Sequence, residues 1–304
     1  SDRTGAILDA LAAEDPRVVV VHGEPLPDGW VGKPWALAQG VRRASGTWLL
    51  FTDADTWHAP HAATSALAFA RARGADALSL ATYQELESFA EQAILPTMLG
   101  LVLVASGSMA ALNDPTDRDH ALANGQYLLV SREAYDALGG HVALRNEIVE
   151  DLAFAQRLKA DGRFRLVLAG GEHLVRVRMY TSLREIWQGF TKNLFLGAGG
   201  DVGALAAGTS ALLLLSVVPG VLALDALARG RPWRALEATL ALAVGVAIQD
   251  YGVRQVRLPR RLAWFAPIGY AACAAIALNS TARVLGGSGV VWRGRRYSGR
   301  SPKA

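Results

Sequence analysis

The chain has 304 residues, 51% of them hydrophobic and only 19% charged, enough for one or two domains with a true core and far from a disordered composition. A single cysteine, Cys273, excludes a disulfide scaffold and a cysteine-built metal cluster, and its apolar surroundings mark it as inert packing. The formal charge of +4 is uneven: beyond Arg229 nearly every charge is an arginine in short clusters between apolar runs, which suits lipid headgroups, and no basic motif with interleaved aromatics points to nucleic acid.

The opening SDRTGAILDALAAEDP starts an amphipathic helix over 5–13 without an initiator methionine or signal peptide, so a fragment with an upstream part missing is expected. RVVVVHG (17–23) reads as a buried strand, KPWALAQGVRRAS (33–45) as a helix with Pro34 in its first turn, and TWLLFTDAD (47–55) as the next strand. Strand, helix, strand in that order predicts a parallel α/β unit, whose ligands gather at the carboxyl ends of the strands. A helix over 60–73 and a strand over 75–81 follow. QAILPTMLGLVLVASGSMAAL (92–112) is long enough to span a bilayer, but more α/β pattern comes after it: GQYLLVS as strand, REAYDALGG and EDLAFAQRLKADG as helices. A span there would split the domain between two membrane faces, so 92–112 is read as interfacial or buried.

From residue 203 the character changes. Apolar stretches at 203–228, 235–253 and 262–282 predict about three membrane helices, the middle one carrying Glu237 and Asp250. The division is thus an α/β domain over 1–195 and a membrane region with a basic tail over 196–304. If all three cross, Arg229, Arg231, Arg234 and the tail lie on one side. Arg254, Arg257, Arg260 and Arg261 lie on the other with the α/β domain, and the positive-inside rule does not choose between the two orientations.

Asp53 and Asp55 end an apolar strand with two carboxylates on one face, hard oxygen ligands for Mg2+ or Mn2+ that leave positions open for a diphosphate; a solvated turn is the alternative. Lys33 starts the helix opened by Pro34, where the macrodipole disfavours a cation unless phosphate sits between; reaching into water is the alternative. Gly32 permits close backbone approach, and Trp30 and Trp35 suit stacking or packing. Glu150 and Asp151 open the helix over 150–162, as a cap or, beside a metal-bound diphosphate, as a group that takes a proton from an attacking hydroxyl. Gly139 and Gly140 either admit a sugar or end the preceding helix. His58 can join the cation or phosphate, His61 lies just past it, and His141 can face the sugar.

In this order, GKPWALAQGVRRASGTWLLFTDADT, GQYLLVSREAYDALGGH and VEDLAFAQRLKADG resemble the family 2 glycosyltransferases, and WVGKPWALAQG, ANGQYLLV and VVWRGRRY resemble their membrane-anchored subgroup associated with carotenoid and hopanoid glycosylation. The resemblance implies a GT-A, Rossmann-like nucleotide-sugar-binding fold followed by transmembrane helices. It implies inverting transfer from a nucleotide sugar to a lipid or isoprenoid-type hydroxyl or carboxyl acceptor, with the catalytic domain on the cytoplasmic face. Asp53 and Asp55 become the Asp-x-Asp metal motif, Asp151 the general base with Glu150 its neighbour, and Gly32 and Lys33 donor-side residues. Gln126, Gly139, Gly140, His141, Arg184 and Trp187 fall on the acceptor side. Two features depart from the family: its first strand and base-gripping acidic stretch are absent, so the fragment is expected to lack activity, and LREIWQGFTKN (183–193) replaces the Gln-x-x-Arg-Trp segment of processive members. A non-catalytic membrane protein and a polyprenol-phosphate-processing transferase are the competing readings.

Overall fold

The computed structural model describes residues 3–197, 201–286, 290–292 and 295–297; Ser1 and Asp2 at the start, and most of the basic tail, lie outside them. In chain order the elements are α1 (Thr4–Glu14), α2 (Gly32–Arg43), β1 (Trp48–Phe51), β2 (Thr56–His58), α3 (Ala62–Ala72), β3 (Ala77–Ala81), β4 (Tyr83–Gln84), α4 (Phe89–Ser106), α5 (Met109–Asn113), β5 (Leu128–Ser131), α6 (Arg132–Ala137), α7 (Glu150–Asp161), β6 (Leu166–Gly170), β7 (Val175–Val177) and α8 (Leu183–Gly197). The apolar region follows as α9 (Val202–Leu214), α10 (Val217–Ala228), α11 (Pro232–Gln255) and α12 (Ala266–Leu285), then a hairpin of β8 (Val290–Trp292) and β9 (Arg295–Tyr297).

The main sheet runs β1-β5-β3-β6. β5 is antiparallel to β1 and β3, and β3 is parallel to β6, so β1, β3 and β6 all run the same way and end on one edge. A smaller sheet, β2-β7-β4, lies beyond that edge in the chain path. Leu49, Phe51, Val130 and Leu128 bury one face of the main sheet against Phe154, Ala155 and Leu158 of α7, and Leu78, Leu80 and Leu129 bury the other against Ala66 and Ala70 of α3. The α7 helix stops at Gly162, whose left-handed backbone (φ 76°) caps it.

Residues 17–23 correct one expectation. They form no strand, and Val19 and Val21 are 55% and 40% exposed. A buried strand needs a ladder, and among the described residues β1 hydrogen-bonds only β5. What fixes this segment is polar: the Gln39 side chain accepts from Glu24 N at 2.8 Å, and Trp35 Nε1 donates to Glu24 O at 3.1 Å. The parallel α/β relation therefore exists among β1, β3 and β6 and not between 17–23 and β1.

Among the described residues four helical stretches are long and apolar enough to cross a membrane: 89–106, 202–228, 232–255 and 260–285. The second is broken, α9 from α10, at Ser216 (φ −137°, ψ −75°). The first, α4, is tied to the α/β domain at its start, where Glu91 in its first turn pairs with Arg178 at 2.8 Å. The short α5 that follows it docks separately, Asn113 exchanging two hydrogen bonds with the Leu168 backbone of β6. The expected single helix over 92–112 ends at Gly107 (φ 95°), where any Cβ would strike the His120 ring. So α4 is tied to the α/β domain at its start, while its length packs among the apolar helices. It packs on α12 through Gly269, where a side chain would collide with Thr97 and Ala93 O. Ile94, Met98, Ile186, Phe190, Tyr270 and the buried Cys273 make the core of this layer. Outward-facing residues of α10 and α11, among them Leu224, Leu227, Leu240 and Val244, are 54–70% exposed. Apolar faces of that extent match a lipid surrounding.

Candidate active site

β1 is short and buried, so it delivers the turn after Phe51 to the carboxyl edge of the sheet. Thr52 Oγ1 donates to Gln126 O at 3.0 Å and Thr56 Oγ1 to Asp53 O at 2.7 Å, which fixes the turn carrying Asp53 and Asp55. Lys33, at the start of α2, reaches across. Its Nζ lies 2.7 Å from Asp53 Oδ1 and 2.7 Å from Glu150 Oε1 at the start of α7. Asp151 is held beside them, its Oδ2 accepting from Gly125 N at 2.7 Å and its Oδ1 from Leu152 N at 2.8 Å. A Cβ on Gly125 would sit 3.0 Å from both Asp151 Oδ2 and Lys33 Nζ, a tight fit that those side chains would have to yield to by a few tenths of an ångström. The loop before β5 thus brings β1, α2 and α7 to one point.

Burial works against the charge on Lys33, but Glu150, Asp53 and Asp151 outweigh it and hold the ammonium well above the usual lysine range. Glu150 is 5% exposed; burial and then the Asp151 charge raise its carboxyl, with Lys33 opposing. Two residues not singled out from the sequence join the site. The half-buried Lys192 of α8 is lowered by burial while its charge interacts with Glu150, Lys33, Asp151 and Asp53. Tyr180 is pushed up to about 12 by burial and by the Asp55 and Asp53 charges. Lysine in the amphipathic LREIWQGFTKN gave a signal; Tyr180 gave none.

His141 is buried behind this cluster and lines the same pocket as Lys33, Gly125, Glu150 and Asp151. Tyr135 Oη accepts from His141 N at 3.0 Å and lies 2.8 Å from His141 Nδ1. The hydroxyl bonds Nδ1 in either tautomer, and where it donates the ring proton sits on Nε2. Burial, with the Lys33 charge behind it, lowers His141 to about 4, so the ring is neutral at physiological pH. Gly140 (φ 51°) makes this possible, because a Cβ there would enter the Tyr135 ring; Gly139 (φ 78°) provides the left-handed turn after α6.

The remaining candidates separate from the cluster. Gln126 is buried in a polar knot, its Oε1 accepting from Gln84 Nε2 at 3.2 Å and Asn124 Nδ2 at 3.3 Å. His58 Nε2 bonds Thr52 and Thr56 at 2.9 Å within the acidic turn, and burial lowers it; His61 is exposed ahead of α3. Arg184 is exposed, and Trp187 packs on the α4–α12 layer. Trp30 and Trp35 pack edge to face at 5.0 Å, and Gly32 is the first residue of α2.

Among the described residues no three acids, histidines or cysteines form a closed metal cage. Two carboxylates at a strand end nevertheless suit magnesium, which is commonly held by one or two carboxylates with substrate phosphates completing its shell. The site gathers Asp53, Glu150 and Asp151 around Lys33, with Lys192 near enough to interact with all of them and Asp55 on the Tyr180 side of the same turn.

Residues 1–139 match the model of Glycosyl transferase family 2. Over those residues the chain is similar to the family 2 glycosyltransferases. Among its curated relatives is the 4,4'-diaponeurosporenoate glycosyltransferase of one Staphylococcus aureus strain, 26% identical over 281 residues, 88% of this chain and 72% of that protein. The protein of the same name from another strain is 28% identical over 204 residues, 63% of this chain. Against that relative, the alignment spans about half of its length, 53%. The family match covers Lys33, Asp53, Asp55 and Gly125 and ends before Glu150 and Asp151, which only the geometry joins to them.

Proposed function

We propose that the chain is a membrane-bound inverting glycosyltransferase that moves a sugar from a nucleotide sugar to a lipid or isoprenoid-type acceptor. Asp53 and Asp55 hold a Mg2+ or Mn2+ ion against the donor diphosphate, Lys33 and Lys192 supply positive charge around it, and Asp151 takes the proton of an acceptor hydroxyl. The observation that carries this reading is the pair of 2.7 Å contacts by which Lys33 joins Asp53 to Glu150, next to Asp151. When bound, the cation stabilises the departing diphosphate. The chain's own residues do the rest: Gly125 N and Leu152 N fix both Asp151 oxygens, and the neutral His141 offers Nε2–H to a substrate oxygen.

The relatives' name supports an isoprenoid acceptor that carries a carboxylate. Such an acceptor is already ionised and would need no proton taken by Asp151. The catalytic domain is assigned to the cytoplasmic face. That assignment rests on the family resemblance; Arg257 pairs with Glu172 of the domain, which puts the Arg254–Arg261 cluster on the domain's side. The test is product analysis with donor labelled in the sugar and, separately, in the phosphate. Sugar label in the lipid extract supports the proposal; phosphate label there makes the chain a phosphate-transferring enzyme.

A further inference from the structure

A groove of about 420 Å3 lies between α11 and the 3-10 turn Arg260–Phe265, well separated in the chain from the catalytic residues. Ala243, Val246, Ala247 and Asp250 recur at helical spacing, so they form one stripe of α11, with Trp264 as the facing wall. One end of the groove is charged and the rest is apolar. At the charged end Asp250 is already matched: Arg260 grips it with two hydrogen bonds of 2.8 and 3.0 Å, and Arg254 lies 2.8 Å away. Arg257 pairs with Glu172 of the catalytic domain. Arg261, also on the rim, is exposed and has no ion-pair partner among the described residues. Four guanidinium groups thus face two carboxylates, and the surplus is positive.

The Arg257–Glu172 pair places this end where the water-exposed domain meets the apolar helices. Trp264, 76% exposed, stands at the same level, as aromatic residues do at a membrane interface. An amphiphile with an anionic head at Arg260 and Arg261 and a hydrocarbon chain along the α11 stripe satisfies both ends. We propose that this groove binds an anionic phospholipid, head at Arg261 and acyl chain against Val246, Ala247 and Trp264. The proposal rests on the membrane placement of α9–α12 and not on the transfer chemistry.

The test reconstitutes the full chain in phosphatidylcholine vesicles doped with phosphatidylglycerol or phosphatidylcholine brominated in the acyl chain. The quenching due to Trp264, one of eight tryptophans, is taken from the difference against Trp264→Phe. Brominated phosphatidylglycerol should quench Trp264 at a mole fraction about fivefold lower than the brominated neutral lipid, the preference expected of one uncompensated arginine at a membrane surface. Arg261→Gln should erase the difference and Arg234→Gln should leave it. Equal quenching by both lipids in the wild type, or an unchanged preference in Arg261→Gln, overturns the headgroup site. No quenching by either overturns the membrane placement with it, and neither result touches the proposed transfer.

Discussion

The ammonium of Lys33 lies 2.7 Å from the Glu150 carboxylate, which is almost wholly buried. One helix start therefore neutralises another, and the residue next to Glu150, Asp151, is brought to the Asp53 turn. A buried carboxylate left without its cation is costly, whereas one converted to an amide is not.

Lys33→Met should therefore lower stability by about 1–3 kcal/mol, less than for a fully buried pair because the lysine is 41% exposed. Adding Glu150→Gln should recover part of the loss. Thermal unfolding of the single and double variants measures the coupling.

Gly140→Ala places a methyl group inside the Tyr135 ring at a φ of 51°. Strain and displacement of Tyr135 together should cost about 2–4 kcal/mol and free the His141 ring. Denaturant unfolding gives the cost, and the nitrogen chemical shifts of His141 report the lost tautomer.

The folded-state value of His141, about 4, lies below that of an exposed imidazole. The unfolded chain thus takes up a proton that the folded chain refuses, and stability falls as pH drops from about 6.5 toward 4, by about 1.4 kcal/mol per pH unit within that window. Melting temperatures at pH 7.5, 6 and 5 should converge between wild type and His141→Gln as acid is added, because the variant lacks this loss. Above pH 7 the group contributes no pH dependence.

Arg178→Met removes the partner of Glu91, which is fully buried at the start of α4. The uncompensated charge should cost about 3–5 kcal/mol and loosen α4 from the domain. Faster proteolysis within 86–106 is the expected readout, with Glu91→Gln in the same background slowing it again.

The strongly patterned elements were legible in the sequence. Pro34 at a helix start, the buried run before Asp53 and the Gly162 stop each have a local cause, and α2, β1 and α7 formed where those signals lay. Segment 17–23 failed because an unbroken run of four valines forms a buried strand only if a neighbouring strand supplies a ladder. β2, β4 and β7 are two or three residues long, too short for any period. The meeting of Asp53 with Glu150 was expected only through family resemblance. Gly125, whose N–H holds Asp151 at the site, looks from sequence like any glycine before a strand. Lys192 reaches the site on α8, which packs on α12 where Ser280 Oγ donates to Thr191 O at 2.7 Å, and Tyr180 lies just before α8 against Gly189; LREIWQGFTKN marks the helix but not which of its side chains turns to the site.

The most direct measurement is transfer of labelled sugar from a panel of nucleotide sugars into lipid-extractable product by the reconstituted chain, with and without Mn2+, for wild type, Asp55→Ala and Asp151→Asn. Transfer should depend on the cation, donor binding should be lost in Asp55→Ala, and Asp151→Asn should keep donor binding while transfer to a hydroxyl acceptor falls about 100-fold or more. Wild-type transfer that ignores the cation, or full activity in both variants, would contradict the assignment of these carboxylates.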